Sequence, residues 1–423
     1  MSNYELLTLV HADGDNMMFG SDGSALAKET SDRLDSAVAT AFFVDSREAS
    51  QNSEPDHSVS LGSWLLDRKS PFMARFSTEQ ERRYAAQFAL GLNGWTGADL
   101  QNVSFRYWGF EREYEGGDAV VADGYDKLLE PLQQNVLASG GEIKLGEQVR
   151  EVAFDEDQQL VKVETVINAD NSTTRTYLAK SCICTIPLGV LKSAEGCPSF
   201  TPKLPPRRMA AINRLGFGLL NKIVLQYPRV WWPQEPGFFT ILQGGESRQS
   251  LSGTTSNVHA SPRDYLDTIP VWAQSYAHVN GNPILVLYLG GSSGHAIEQL
   301  PDDEVQTWAH DLLASRLFQL ALAGGKPPTP LQAHVTRWSS DPHARGSYTY
   351  IPAATASEDL DYAPSPLDIV ELSRPLWGGR LRFAGEHTEL DCYASVHGAA
   401  ISGWREGKRV NNALAGVWAE MSD

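Results

Sequence analysis

A lysine inside an apolar strand pattern is the first residue whose type and position could support chemistry. Lys222 lies in the segment 217–232, FGLLNKIVLQYPRVWW, and is followed by Ile223 and Val224. A charged amine is rarely placed among apolar neighbours without a partner or a task. The alternative interpretation is that its stem packs while the ammonium group reaches solvent. The pattern marks Lys222 as a candidate catalytic residue.

A second candidate group lies near the C-terminus, in the segment 381–416. A short apolar run that starts at Leu381 is typical of a buried strand; Gly385 interrupts it and Glu386 follows. From about Val396 the apolar residues recur with helical spacing. A strand that leads through a glycine and an acid to a helix N-terminus can hold a sugar and a phosphate. The alternative is a strand–loop–helix unit that only packs.

Other common catalytic patterns are missing from the sequence. It has no Ser-His-Asp order, no HExxH motif, no phosphate-binding loop and no GxGxxG fingerprint of a dinucleotide site. No CxxC pair occurs among the four cysteines, which are Cys182, Cys184, Cys197 and Cys392. The cysteines therefore predict neither a zinc site nor a redox dithiol, and no metal site is predicted.

The elements that must position these groups follow both helical and strand periodicities. Helical spacing predicts helices over residues 24–39, 78–92, 124–139 and 302–322. Alternation predicts strands over residues 143–145, 149–154, 160–166, 176–179, 271–273 and 284–289. The polar, proline-marked segment 356–370 predicts a surface loop. An aromatic cluster forms either core or the wall of a substrate cavity: Trp95, Phe105, Tyr107, Trp108 and Phe110.

Length and composition indicate a soluble globular protein. The chain has 423 residues, of which 42% are hydrophobic and 21% are charged, and this length predicts two domains or interleaved lobes. The net charge of −17 is spread along the sequence, which disfavours nucleic acid as a partner. The acidity either favours a cationic substrate or serves only solubility.

Targeting signals are not recognisable in the sequence. No apolar run is long enough for a membrane span, and the N-terminus lacks the basic and apolar regions of a signal peptide. The last residues, AEMSD at 419–423, do not match a peroxisomal signal. We therefore expect an intracellular, cytoplasmic protein.

The C-terminal segment carries a longer pattern that resembles a known family. The pattern consists of FAGEHT at 383–388, VHGA at 396–399, SG at 402–403 and RE at 405–406. It resembles the flavin-binding block of the flavin amine oxidases, which include polyamine oxidases, monoamine oxidases and lysine-specific histone demethylases. The resemblance implies that FAD is the cofactor.

In this family the C-terminal block surrounds the flavin. The resemblance implies that Gly385 and Glu386 bind the cofactor, with Glu386 at the polar chain that links the flavin to its diphosphate. It also implies that Ala394, Ser395 and Val396 pass the pyrimidine edge of the ring. The helix that begins there would point its positive end at the cofactor.

An internal segment continues the resemblance. Residues 181–192, SCICTIPLGVLK, are similar to the family strand that passes the flavin and exits through a proline. The similarity implies cofactor contacts for Thr185, Ile186 and Pro187. In the family, a valine of an earlier strand meets the adenine through its backbone, and Val149 is the matching residue.

The resemblance also implies the reaction site. Lys222 stands where the family has a lysine that holds a water beside the reactive nitrogen of the flavin. Trp338 matches a tryptophan that lies against the flavin, and Tyr348 ends a glycine-serine-tyrosine that lines the substrate cavity. His343 stands where many relatives have another aromatic residue, and Tyr393 is a further candidate wall.

The implied fold is a two-lobed α/β fold with interleaved segments. We predict that residues 116–214 and 374–423 form a Rossmann-like FAD lobe, and that residues 1–115 and 215–373 form an α+β substrate lobe. The first residues resemble the family only from a point past its glycine-loop unit. We therefore expect the FAD lobe to be incomplete by about one βαβ unit, at least ~30 residues.

The implied reaction is FAD-dependent oxidation of an amine to an imine and then an aldehyde, with O2 reduced to H2O2. A polyamine-like substrate is favoured, since no segment resembles the inserted helical hairpin of the histone demethylases. The alternatives are a non-catalytic binding or scaffold protein and a fragment of a true oxidase. Without a glycine loop to meet the diphosphate, we expect weak FAD binding or none, and exposed apolar surface.

Overall fold

The computed structural model describes residues 9–11, 15–112, 119–167, 173–243, 261–317, 326–355 and 362–416. The strands are β1 (Leu9–His11), β2 (Asn16–Phe19), β3 (Ala119–Val121), β4 (Glu147–Asp155), β5 (Leu160–Ile167), β6 (Thr173–Ala179), β7 (Cys182–Cys184), β8 (Ser199–Thr201), β9 (Gly216–Phe217), β10 (Leu220–Gln226), β11 (Phe238–Ile241), β12 (Val271–Ser275), β13 (Ile284–Gly290), β14 (Gln332–Val335), β15 (Thr349–Tyr350) and β16 (Leu381–Phe383).

The helices are α1 (Lys28–Ala39), α2 (Ser46–Ser53), α3 (Leu61–Leu65), α4 (Glu79–Leu90), α5 (Asn93–Thr96), α6 (Asp126–Ala138), α7 (Leu188–Leu191), α8 (Pro206–Arg214), α9 (Pro262–Leu266), α10 (Tyr276–Asn280), α11 (Ser292–Glu298), α12 (Asp302–Leu317), α13 (Pro366–Ser373) and α14 (Val396–Leu414). Thr40–Asp45 is a π-helical turn between α1 and α2, and Met73–Arg75 and Glu386–Thr388 are 3-10 turns.

A six-stranded mixed sheet forms the larger of the two main sheets. Its strand order is β14-β10-β13-β12-β11-β2, and every pair is antiparallel except β11 with β2. Alternation along β10 buries Ile223 and Leu225 in a core with Trp308 of α12. The opposite face of the sheet packs on the N-terminal helices, where Trp272 lies 5.7 Å from Phe88 between ring centroids. The two faces of this sheet therefore meet different helical layers.

A second group of strands surrounds a separate core. One sheet has the order β6-β5-β4-β8, and β7 pairs in parallel with β16. Short pairs join β1 to β3 and β9 to β15. Side chains from β4, β5, β7, β8, β16, α7, α8 and α13 share one buried cluster, which includes Val152, Leu215, Ile369 and Phe383. The parallel β7–β16 pair brings two distant segments of the chain side by side.

Several helix boundaries follow from their capping residues. Thr78 and Glu81 form a reciprocal capping box at the start of α4, where the spacing predicts a helix from residue 78. The first turn of α12 carries three acids, Asp302, Asp303 and Glu304, at the positive end of the helix. No helix in the described part of the chain is both long and apolar enough to cross a lipid bilayer.

Three sequence predictions of local structure need correction. Residues 143–145 are not a strand. Leu145 is 87% exposed, so this apolar side chain does not face a core. The expected loop at 356–370 contains α13, because Ser365 and Asp368 form a capping box that starts a helix at Pro366; residues 356–361 lie outside the described residues. The first predicted helix begins at Lys28 and not at residue 24.

The division into lobes stays a prediction. The described residues form an α/β structure with separate cores, but the boundaries at residues 115, 214 and 373 are not tested by it.

Candidate functional site

Glu386 lies in the tight turn that follows β16. Gly385, at φ +141°, lets the chain leave the strand, and its N–H donates to Ser402 Oγ of α14 at 2.9 Å. The Glu386 carboxylate accepts hydrogen bonds from Thr349 Oγ1 and from the Ala394 N–H, each at 2.7 Å. One donor from a distant segment and one from the same turn therefore meet on this acid.

Burial controls the charge of this turn. It raises the pKa of Glu386 to about 6, and the hydrogen bonds from Thr349 and Ala394 offset only part of that effect. The adjacent His387 is buried as well, and burial, with a smaller contribution from Arg208, lowers its pKa to about 4. At neutral pH the imidazole is therefore uncharged and does not neutralise the carboxylate 3.9 Å away.

The turn continues into the N-terminus of α14. Ala394 adopts a left-handed conformation with φ +61°, which is strained for a residue with a Cβ, and it presents its N–H to Glu386. Ser395 caps the helix by accepting from the Gly398 N–H at 3.0 Å. Val396 begins the helix and is 50% exposed. The positive end of α14 thus lies beside the buried acid.

Tyr393 forms an aromatic wall next to this turn. Its ring stacks on Phe110 with a centroid distance of 5.5 Å and an interplanar angle of 7°. Burial raises the pKa of the Tyr393 hydroxyl, and the nearby Glu111 and Glu386 add to the shift. The side chain is therefore a neutral phenol at any physiological pH.

A cleft of about 430 Å³ brings four of the predicted site residues together. Val149 of β4, Ile186 and Pro187 after β7, and His343 all line it. Thr185, the first residue after β7, is exposed. Since these residues come from three segments of the chain, only tertiary structure joins them.

Lys222 projects from the half-buried face of β10, beside the antiparallel strand β13. Its register partner is Tyr288, and Nζ lies 5.7 Å from the centroid of that ring. Burial lowers the pKa of the Lys222 ammonium, and no neighbouring carboxylate in the described part of the chain opposes the shift. The predicted lysine is therefore half-buried and inclined toward its neutral form.

A buried asparagine connects Lys222 to the segment that carries Trp338. Asn221 Nδ2 donates to Glu298 Oε1 at 2.7 Å, and its Oδ1 accepts from Thr336 Oγ1 and the Trp338 N–H at 3.0 and 3.1 Å. The Lys222 N–H also donates to Thr336 Oγ1 at 2.8 Å. These bonds hold the Trp338 backbone beside β10, while its side chain is 42% exposed.

The same segment continues to the buried acid. The half-buried Tyr348 donates its hydroxyl to the Gly94 carbonyl at 2.5 Å. Its ring lies so close to Gly97 that a Cβ there would come within 2.7 Å of it. The next residue, Thr349, donates to Glu386. Residues 336–349 therefore form one continuous link between the lysine and the acid.

Sequence reasoning missed three residues of this arrangement. Asn221 had a usable signal, because the alternation of β10 places a polar side chain on its buried face. Thr349 and Tyr288 had none, since their partners Glu386 and Lys222 are found only through chain crossing and strand register.

Known proteins with related sequences are named as histone demethylases. The chain is 30% identical over 328 residues to "Possible lysine-specific histone demethylase 1" of Drosophila melanogaster, covering 75% of this chain and 33% of that protein. It is 27% identical over 395 residues to "Lysine-specific histone demethylase 1 homolog 3" of Oryza sativa subsp. japonica, covering 93% of this chain and 43% of that protein. The chain thus spans less than half the length of these curated relatives.

A solved structure has a similar fold. The cyclohexylamine oxidase from Brevibacterium oxydans IH-35A superposes with a TM-score of 0.63 at 17% sequence identity, covering 97% of this chain and 83% of that one. The predicted two-lobed α/β fold of a FAD-linked amine oxidase is confirmed by this similarity.

The family assignment rests on nearly the whole chain. Residues 22–411 match the sequence profile of the family described as "Flavin containing amine oxidoreductase". The resemblance found in the sequence motifs is confirmed, as is the prediction of FAD as the family's cofactor. This chain belongs to the flavin containing amine oxidoreductases.

Proposed function

We propose that this chain carries out the flavin-dependent oxidation of an amine. In the overall reaction the carbon–nitrogen bond of the amine is oxidised to an imine, O2 is reduced to H2O2, and water hydrolyses the imine to an aldehyde and a smaller amine. The observation that carries the proposal is the link between Lys222 and Glu386 through residues 336–349. Both ends of this link are half-buried or buried ionisable groups at the positions that the sequence resemblance assigns to the flavin site.

The residues present fit part of an FAD molecule. Glu386 keeps free lone pairs after its two hydrogen bonds, so it would accept from a hydroxyl of the chain linking the flavin to its diphosphate. The N-terminus of α14, with Ala394, Ser395 and Val396, would hold an electron-rich edge of the ring. Val149, Ile186 and Pro187 line a cleft that is suited to an apolar ring face.

When it is bound, the flavin supplies the two-electron acceptor for the amine. The protein's part is to place and desolvate the substrate. Burial lowers the pKa of Lys222, so its amine would hold a water at Nζ with less competing positive charge. Trp338, Tyr348 and Tyr393 would form apolar walls that exclude water, and this desolvation would disfavour the ammonium form of the substrate, which is the form that cannot be oxidised.

A polyamine-like substrate is our leading choice. Its support is the net charge of −17, because a negative protein attracts a polycation over long distances. The tertiary structure offers further aromatic surface for such a chain, since Tyr288 and Trp272 are register partners on the same face of the sheet as Lys222.

A methylated lysine side chain is the second candidate substrate. The names of the sequence relatives from Drosophila melanogaster and Oryza sativa favour it. The chemistry is the same, because both substrates present an alkyl amine with an oxidisable carbon next to nitrogen.

A peroxide-release assay of the purified chain, supplied with FAD, tests the proposal. The panel contains spermine, spermidine, an acetylated polyamine, cyclohexylamine and a dimethyl-lysine peptide. We expect peroxide release with at least one amine. If the leading choice is right, peroxide release should be faster with spermine than with the peptide. The visible absorbance of bound flavin, recorded on the same sample, tests the expected weak FAD binding. Flavin-loaded protein that oxidises none of these amines would contradict the proposed function.

A further inference from the structure

The ring beneath Lys222 is an unassigned part of the candidate site. Lys222 Nζ lies 5.7 Å from the centroid of Tyr288, within the range of a cation–π contact. Among the described residues, no carboxylate contributes to the charge state of this lysine. A lysine with four rotatable side-chain bonds needs some contact to hold its amine in one place. The Tyr288 ring is the contact that the structure provides.

Tyr288 is itself held rigidly. It lies on β13, which is paired on both sides, with β10 and with β12. Its hydroxyl donates to Oε1 of Gln274 on β12 at 2.6 Å, and Gln274 is buried. Since the hydroxyl is anchored at the far end of the side chain, the ring cannot turn away from Lys222 without breaking that bond.

The choice of an aromatic ring has a chemical consequence. A carboxylate beside Lys222 would favour the charged ammonium strongly, whereas a ring face attracts the amine end more weakly and accepts no proton. An aromatic contact therefore restricts the position of Nζ while leaving the lysine free to lose its proton. This combination suits an amine that must hold a water.

We propose that Tyr288 is a positioning residue for Lys222, and that Gln274 fixes Tyr288 in the orientation this requires. The inference rests on the proposed function, in which Lys222 lies at the ring end of the flavin. It adds two residues of the six-stranded sheet to the site, and neither is part of the resemblance to the family.

The contact can be tested without turnover. Reductive ¹³C-methylation of the full-length chain labels its lysines, and Lys222→Arg identifies the signal of Lys222 by its loss. We expect this signal to be displaced upfield in the wild-type protein by the ring current of Tyr288. The displacement should persist in Tyr288→Phe, which keeps the ring, and vanish in Tyr288→Leu. An undisplaced Lys222 signal in the wild-type protein would overturn the proposal, even if the leucine variant does not fold.

Kinetics on the flavin-loaded enzyme test the consequence. We expect Tyr288→Leu to lower kcat by about 2- to 30-fold, the range of a cation–π contact, with little change in KM. Gln274→Leu should also lower kcat, but by less than Tyr288→Leu does. The kcat of Tyr288→Phe should be close to that of Gln274→Leu. Tyr362→Leu, at an exposed tyrosine, is the matched control. If Tyr288→Phe is as slow as Tyr288→Leu, the ring contact is not what matters.

The two experiments separate this inference from the proposed function. An inactive wild-type enzyme with a displaced Lys222 signal would contradict amine oxidation and leave the positioning contact standing. An active enzyme whose kcat and Lys222 signal are unchanged in Tyr288→Leu would contradict the positioning role alone.

Discussion

Lys222 and Glu386 are both driven toward their neutral forms by burial. Desolvation lowers the pKa of the lysine and raises that of the carboxyl to about 6. Neither group has an ion-pair partner that would restore its charge among the described residues, because His387 beside Glu386 is itself kept neutral. Burial therefore weakens the preference of both groups for their charged forms, and perturbed pKa values of this kind cluster at functional sites.

Replacing the lysine by methionine tests its role at the residue scale. In a flavin-loaded, complete version of the protein, we expect Lys222→Met to slow flavin reduction or reoxidation by roughly 100-fold, the usual contribution of a positioned proton-handling group, while flavin stays bound. Anaerobic stopped-flow absorbance separates the two half-reactions. Lys192→Met is the matched control, because burial also lowers the pKa of Lys192, to about 8, but its Nζ only caps carbonyls at the end of α8. Equal rates in wild type and Lys222→Met would refute the role.

The Glu386–His387 pair predicts a pH dependence of stability. Glu386 titrates at about 6 in the folded chain and at 4.5 ordinarily, so the folded chain binds more protons between these values and its stability falls as pH rises. His387, at about 4 against an ordinary 6.5, has the opposite effect. Removing the acid should therefore leave the histidine's effect alone.

We expect the unfolding free energy of Glu386→Gln to rise more steeply with pH than that of the wild type. The difference should be about 1.5 kcal/mol between pH 4.5 and 6.5, which is most of the ~2 kcal/mol that a shift of about 1.5 pKa units gives in full at 1.36 kcal/mol each. Urea unfolding of the flavin-free chain at four pH values measures it, and groups that do not interact with Glu386 cancel in the comparison. Parallel pH profiles would mean that Glu386 is not perturbed.

At the scale of elements, the site depends on where helices and strands end. Glu386 and the α14 cap follow directly on β16, and Lys222 is positioned by the register of β10 with β13. Helix α5 packs tightly on β13, because a Cβ on Gly290 would come within 2.2 Å of the Asn93 carbonyl oxygen. This contact positions the Gly94 carbonyl that accepts the hydrogen bond from Tyr348.

Loss of the α14 cap should weaken this arrangement measurably. Ser395 Oγ accepts from the Gly398 N–H at 3.0 Å and donates to the Cys392 carbonyl at 2.6 Å. We expect Ser395→Ala to lower the unfolding free energy by about 1 kcal/mol, the usual cost of a lost N-cap. Ser395→Asp keeps the acceptor and should recover most of it in urea unfolding. If both variants match the wild type, the cap does not stabilise the helix.

At the scale of the whole molecule, α6 exposes an apolar stripe. Tyr125, Leu129, Leu132 and Val136 lie at helical spacing, and their exposed fractions range from 42% to 56%. None of the residues of α6 is buried. A contiguous apolar stripe of this kind is typical of a surface that associates with another apolar surface.

Charging this stripe should lower association of the isolated chain. We expect Leu129→Glu/Val136→Glu to reduce light scattering and the fluorescence of a bound hydrophobic dye relative to the wild type. Gln133→Glu/Gln134→Glu, at exposed polar positions of the same helix, adds the same charge and is the control. If the control reduces scattering equally, net charge and not the apolar stripe is responsible.

The sequence by itself determined the family, the cofactor and the groups that lie close together along the chain. Gly385, Glu386 and the start of α14 follow one another along the chain. Local periodicity and capping rules therefore predict their arrangement. Lys222 was recognisable because one charge interrupts an apolar strand. The apolar residues at 143–145 misled, since a short run carries no information on which side it faces.

Tertiary structure alone decided which of these groups meet. Thr349 reaches Glu386, and Tyr288 lies beneath Lys222, through contacts between segments 37 and 66 residues apart in sequence. Such contacts depend on strand register and on the crossing of segments, and a shift of one residue would turn every side chain of β10 to the other face. The periodicity of a strand determines on which face of the sheet a side chain lies, but it does not determine which residue of another segment lies next to that side chain.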